Sequence, residues 1–185
     1  MIQLNHPNFY LRTLTKDDAE LLLQYELKNR IAFEPTSSTR PEHFYSLETQ
    51  TRIAQRSETA LITQEMVRFL LFTHDHHMMG TLSLNDILWS PNLRSCFLGY
   101  STDIDYQGKG ITTQAVSLVI DYAFNRLGLH RIEAGVMPMN IASQRVLEKN
   151  GFIKEGLCQK NVHINGRWED HYLYGLINPK ESLGQ

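Results

Sequence analysis

The sequence predicts a single α+β domain: a central, mostly antiparallel twisted sheet that holds one parallel pair of strands and is flanked by helices. Three observations carry this reading. Two stretches with helical signals precede a run of short strands; one amphipathic helix lies between two strands; and an Asn165-Gly166 dipeptide sits inside the last β-rich stretch. A helical crossover joins parallel neighbours, whereas Asn-Gly favours a tight antiparallel hairpin, so both pairings belong in one sheet.

The elements follow in order. Residues 9–14 read as a first strand, and Thr15 with Asp18 as an N-cap and acidic first turn for a helix over 16–30. Pro35, Thr36, Ser37 and Ser38 break that pattern. Thr39, Pro41 and Glu42 then signal a second helix carrying Phe44, Leu47, Thr51 and Ala54. Residues 66–73, 77–88 and 94–102 are rich in β-formers and are separated by turns at Asp75 and Pro91-Asn92, which predicts an antiparallel meander. Val116, Val119, Ala123 and Leu127 repeat at helical spacing over 112–127, with Gly128 as a left-handed cap. The next strand, 131–137, is expected parallel to 94–102. A short helix over 140–150, closed by Gly151, leads to the final hairpin with its type I′ turn.

With 185 residues and a formal charge of −2, the chain suits one domain spanning 1–185 and offers no basic block for direct nucleic-acid binding. No leader-like or membrane-spanning stretch stands out, and Cys96 and Cys158 lack the spacing of a zinc or redox motif. The expectation is a cytoplasmic protein with reduced thiols, bound to no membrane, a monomer or homodimer.

The most informative run is Gln107-Gly108-Lys109-Gly110-Ile111-Thr112, between a strand and a helix. Glycines allow close backbone approach, and the free amides and positive dipole at a helix start suit a pyrophosphate without a metal. A Walker A loop requires Ser or Thr after Gly-Lys, where Gly110 stands; the dinucleotide fingerprint requires a third glycine, where Thr113 stands.

This run resembles the acyl-CoA signature of the GNAT acetyltransferases, with Thr112 in place of the usual small last residue. The resemblance extends from Phe9 to about Ile177. It takes in Tyr106 to Thr113, Arg131-Ile132-Glu133, the run from Pro138 through Asn140 to Ser143, the run from Leu147 to Phe152, Glu155-Gly156, Asn165-Gly166 and Asp170, and is strongest to the RimJ/RimL group. It implies the GNAT-like fold, with the parallel pair splayed, and acetyl-CoA as cosubstrate. The pyrophosphate would lie on Gly108, Lys109, Gly110, Ile111, Thr112 and Thr113 with Gln107, the pantetheine arm along Tyr100, Ser101 and Thr102, and Asn140 would bond the cofactor. Asn140 is equally a favoured N-cap. A backbone amide on the splayed strand would polarise the thioester carbonyl.

Ser143 corresponds to the serine that RimL-like enzymes are proposed to use to protonate the leaving thiolate; Leu147 stands where other family members carry a tyrosine. No general base transfers by motif, because Gly135 and Val162 occupy the positions where relatives place a carboxylate. Glu34 resembles the glutamate of a Trp-Glu-Pro turn near the acceptor site, and is also readable as a solvated loop carboxylate. Glu133 shares a strand face with Gly135, or only pairs with a nearby Arg. An α-amine with a pKa of about 8 costs roughly 1.4 kcal/mol to hold neutral near pH 7, against roughly 4.6 for lysine at about 10.4. The missing carboxylate therefore favours N-terminal amines as acceptors.

The implied activity is acetyl transfer to a primary amine by direct attack, with a protein N-terminus such as that of a ribosomal protein as acceptor. A polyamine, an amino sugar, or a non-catalytic acyl-CoA-binding regulatory role are the alternatives. His74, His76 and His77 read as a solvated turn, so no metal is expected. Trp168, Tyr172 and Tyr174 read as one strand face, the tyrosines in the core and Trp168 there or bordering the acceptor groove; Arg12, Arg40 and Arg145 read as surface charge.

Overall fold

The computed structural model describes residues 1–181. Twelve helices and strands position the site. Strands β1 (Gln3–His6) and β2 (Phe9–Thr13) come first, then helices α1 (Ala19–Phe33) and α2 (Leu47–Ile62), and the meander β3 (Val67–Phe72), β4 (Met78–Ser90) and β5 (Leu93–Thr102). Helix α3 (Ile111–Asp121), β6 (Arg131–Val136), α4 (Ile141–Lys149), β7 (Ile153–Ile164) and β8 (Arg167–Ile177) complete the order. All eight strands form one sheet, ordered β1-β2-β3-β4-β5-β6-β8-β7. Every pairing is antiparallel except β5–β6.

Strand alternation divides the core in two. Phe69, Leu71, Leu82, Leu84, Leu98 and Ile132 are buried with Val116, Val119 and Ala123 on the face covered by α3 and α4. Leu70 and Phe72 pack instead with Leu14, Leu22 and Ala54, on the face covered by α1 and α2. Each such buried aliphatic side chain contributes about 1.5–3 kcal/mol.

The expected meander, the parallel crossover and the hairpin are all present. Asn165 and Gly166 have φ of 47° and 80°, the two positive values a type I′ turn requires. Three local features differ. Strand β1 was not anticipated, because its residues alternate between exposed and half-buried and carry little apolar signal. Residues 42–45 form only a 3₁₀ turn; α2 begins after Ser46, whose hydroxyl accepts from the Thr49 amide at 3.3 Å and makes it the true N-cap. The 112–127 pattern also does not stay α-helical: after Asp121 it widens into a π turn over Tyr122–Arg126, which keeps Tyr122, Ala123 and Phe124 buried.

Arg12 is no surface charge: its guanidinium grips Asp18 with both terminal nitrogens, at 2.8 and 2.6 Å. A second network anchors α1 to the chain leading into the glycine turn. Buried Asp103 accepts from Lys28 (2.9 Å), Asn29 (3.1 Å) and the Asp105 amide (2.9 Å), while Asn29 accepts from the Ile104 amide. Burial pushes the Asp103 carboxyl up, but Lys28, the Asp105 amide and Asn29 outweigh it and leave the pKa below its ordinary value. A depressed carboxyl stabilises the fold fully at neutral pH and ceases to as pH falls through its folded value. Asp103→Asn should therefore cost roughly 2 kcal/mol at pH 7, the scale of a hydrogen bond to a charged group. Denaturant unfolding at pH 7 and pH 3 should show that difference shrinking in acid; an undiminished difference at pH 3 would contradict the assignment.

Candidate active site

The centre of the molecule is a gap in the sheet. Parallel pairing joins Ser95, Cys96 and Phe97 to Arg131, Ile132 and Glu133 and stops there. Beyond it, β5 stays paired with β4 as far as Thr102, and β6 stays paired with β8 as far as Val136. The edge of β5 from Leu98 to Thr102 therefore faces an opening, bordered across the gap by Gly135.

Alternation sends the β5 side chains to opposite sides of the opening. Tyr100 and Thr102 meet α4 and α3: the Tyr100 hydroxyl lies 2.8 Å from Ser143 Oγ, and Thr102 Oγ1 lies 2.7 Å from Thr112 Oγ1. Ser101 points the other way and meets the Tyr25 hydroxyl of α1 at 2.8 Å.

On the α3 side lies the glycine turn. Gly108 and Gly110 have φ of 72° and 76°, conformations that a Cβ would strain. An added Cβ at either would meet nothing within 4 Å, so the glycines serve the backbone path. No hydrogen bond within the described residues uses the amides from Gly108 to Thr113; the first α3 bond is the Gln114 amide to the Gly110 carbonyl. Six consecutive unpaired donors at a helix start form a cradle that fits a pyrophosphate. Gln107 donates to the Thr102 carbonyl at 3.0 Å and Lys109 to the Asp105 carbonyl at 2.6 Å, so these two side chains brace the loop.

Helix α4 brings in Asn140 and Ser143. Asn140 Oδ1 accepts from the Ser143 amide at 3.1 Å, the N-cap expected of it, and its Nδ2 makes no bond among the described residues. Tyr100 is half-buried, and burial pushes its pKa to about 12 despite the bond to Ser143. Its hydroxyl keeps its one proton, which can go to the Ser143 carbonyl at 3.2 Å or to Ser143 Oγ; in the second arrangement the serine hydrogen is free to point elsewhere.

On the α1–α2 side the opening leads into a cavity of about 680 Å³. The loop from Thr36 to Pro41 roofs it; Phe97, Gly99 and Gly135 form its inner wall, and Arg40, Arg68, Val162 and His171 are among the rest. The roof is tied to the β7–β8 turn: the Asn165 amide donates to Thr39 Oγ1 and its side chain to the Glu34 carbonyl, both at 2.8 Å. Glu34 itself is exposed and does not line the cavity, so the structure does not bring its carboxylate together with the other predicted residues. Glu133 bonds Arg131 at 3.0 Å, and Trp168 is exposed against His163 in the hairpin. His74 and His76 bond the Pro7 carbonyl and the Tyr10 hydroxyl.

Neither Arg40 nor His171 is marked as a cavity residue by its sequence context. Arg40 was read as surface charge, but the roof loop folds it inward onto buried Glu26 of α1. His171 is buried, 7% exposed, and a Cβ on Gly135 would touch its ring at 3.8 Å. Its Nδ1 lies 3.2 Å from the Glu169 carbonyl. A carbonyl only accepts, which assigns the proton to Nδ1 and leaves Nε2 as a basic lone pair.

Comparison with known proteins agrees with this geometry. A family model described as an acetyltransferase (GNAT) domain matches residues 8–153. The probable N-acetyltransferase YjcK of Bacillus subtilis (strain 168) is 45% identical over 179 residues, covering 96% of this chain and 98% of that protein. Ribosomal-protein-S5-alanine acetyltransferase from Vibrio fischeri matches with a TM-score of 0.92 and 32% identity, covering 97% of this chain and 98% of that one. Mycobacterium smegmatis RimJ, solved with CoA-disulfide, matches with a TM-score of 0.87 and 28% identity over 96% of this chain and 84% of that one. The chain belongs to the GNAT family of acetyl-CoA-dependent N-acetyltransferases, and within it is RimJ/RimL-like.

Proposed function

We infer that this chain acetylates the α-amine of a protein N-terminus, a ribosomal protein being the first candidate. The observation that carries the reading is the cavity beside the strand gap, which opens toward the reacting position and has no Asp or Glu in its lining among the described residues; Glu26, Glu65 and Asp86 line the adjoining hollow beyond Arg40 and Arg68. A polyamine or a lysine side chain would need a carboxylate there, to hold cations or remove a reluctant proton; an α-amine needs neither. Full-length similarity to a ribosomal-protein-S5-alanine acetyltransferase supports the same acceptor class.

Bound acetyl-CoA would supply an activated acetyl group, and the amine displaces coenzyme A as a thiol by direct attack. The amides of Gly108 to Thr113 hold the pyrophosphate, and the edge of β5 from Tyr100 to Thr102 receives the pantetheine arm. Asn140 Nδ2 bonds the cofactor. His171 Nε2 accepts the proton shed by the attacking amine, directly or through one water. Ser143, with Tyr100 donating into it, presents its hydrogen to the departing sulfur.

The test is CoA thiol release from acetyl-CoA with N-terminal peptides, spermidine and glucosamine as acceptors. The peptides should be the fastest by about tenfold or more, roughly 1.4 kcal/mol of preference. Faster release with spermidine or glucosamine would refute the acceptor class.

A further inference from the structure

Among the described residues, Arg68 is the one guanidinium lining this cavity whose side chain has no hydrogen-bond or ion-pair partner. It lies in the middle of the apolar run of β3, where it pairs in register with Ser83 of β4, and Ser83 pairs with Gly99 of β5. These residues form a row on the α1–α2 face that ends at the strand gap. Two interstrand steps of about 4.8 Å separate Arg68 from Gly99, and the one residue between them, Ser83, is small.

The charges lining this cavity do not balance. Arg40 and Arg68 both line the cavity and no carboxylate does; in the adjoining hollow, which both arginines also line, Glu26 is engaged by Arg40, and neither Glu65 nor Asp86 forms an ion pair with Arg68 among the described residues. The Arg68 guanidinium makes no hydrogen bond or ion pair among the described residues. Burial lowers its pKa, with Glu26 opposing and Arg40 and Arg56 adding to the effect, as expected of a guanidinium partly withdrawn from water beside like charges. With Arg40 neutralised by Glu26, one positive charge remains, presented as a planar fork suited to two parallel bonds. A phosphate dianion would overshoot that charge, and a polycation would be repelled by it.

We propose that Arg68 binds a carboxylate carried by the acceptor, so that the enzyme prefers amines with an acidic group close by. The inference rests on reading this cavity as the acceptor site. The row from Gly99 to Arg68, bridged in part by the arginine side chain, places that carboxylate within one or two residues of the amine. An Asp or Glu at the second or third position of a protein N-terminus fits; the α-carboxylate of a free amino acid offers the same chemistry.

The experiment compares N-terminal peptides that differ only in Asp against Asn at the second or third position. It measures kcat and KM for acetylation, and binding to the CoA-loaded protein by calorimetry. The wild type should favour the Asp peptide by about tenfold, mostly in KM, as one charge-assisted hydrogen bond would give. Arg68→Gln should bring that ratio toward one, and Arg68→Glu should invert it in favour of a Lys-containing peptide. Equal kcat/KM and equal binding for the two peptides with the wild type overturn the inference, whether or not the variants fold. Turnover of no peptide, with Arg68-dependent binding of the acidic one, would refute N-terminal acetylation and uphold the carboxylate site. Free glutamate outcompeting the peptide would uphold the carboxylate and move its source to an amino acid.

Discussion

Ser143→Ala should lower kcat with a peptide acceptor about 100-fold, with KM for acetyl-CoA little changed, because loss of a positioned acid costs about 10²–10⁴. The serine does not act alone. Its Oγ lies 2.8 Å from the Tyr100 hydroxyl, which also reaches the Ser143 carbonyl at 3.2 Å. Burial keeps the phenol protonated to about pH 12, so it can act as a donor throughout the working range. Tyr100→Phe removes the group behind the serine but not the serine hydrogen, and its loss should be smaller, about tenfold. Rapid-mixing measurement of CoA release separates these effects from slow product release. A Ser143→Ala enzyme with kcat within twofold of the wild type would exclude the serine as the acid.

His171→Gln has the second large effect, a fall of about 100-fold in kcat/KM at pH 7 for the α-amine acceptor. The pH profile distinguishes a base from a packing role. An α-amine loses its own proton near pH 8, so the need for a base falls as pH rises, and the gap between wild type and variant should narrow by pH 9. A purely structural defect would lower the rate equally across that range. The Glu169 carbonyl is what makes the assignment specific, since it holds the proton on Nδ1 and leaves the lone pair on Nε2.

These residues differ in how much the sequence reveals of them. The glycine turn is legible because its chemistry is local: Gln107 to Thr113 are contiguous, and the glycines take the left-handed conformations that a turn into a helix needs. Asn140 and Ser143 are legible for the same reason, being an N-cap and a first-turn serine in one short motif. The acceptor cavity is assembled instead from β3, β5, β6, β7, β8 and the roof loop, so no stretch of chain contains it. Tyr100 meets Ser143 across forty-three residues, through a contact that depends on which face of β5 the tyrosine occupies. Arg40 sits in a polar loop indistinguishable by composition from solvent-facing charge, and contacts distant in sequence, from Thr39 and Glu34 to Asn165 and from Arg40 to Glu26, fold that loop inward. Arg68 did leave a signal, a lone cation inside Val67-Arg-Phe-Leu-Leu-Phe, where a structural strand would carry an apolar or small residue.

The strand gap ties these parts together. Pairing of β5 with β6 ends after Phe97 and Glu133, and Gly99 and Gly135 leave the space beyond it clear. On the proposed reading, donor-side residues reach the opening from α3 and α4, and acceptor-side residues from β3, β8 and the roof loop. An amine entering past His171 would thus meet the acetyl group with Ser143 on its far side, and the two proton transfers would be kept on opposite faces of one sheet.

The central claim is the α-amine, and the most direct measurement is where the acetyl group lands on one peptide that offers two amines. A peptide with a free N-terminus and one internal lysine, incubated with enzyme and acetyl-CoA and sequenced by tandem mass spectrometry, provides that choice. The difference in deprotonation alone predicts N-terminal labelling roughly 200-fold faster than lysine labelling near pH 7. Lysine labelled as fast as the N-terminus would contradict the account.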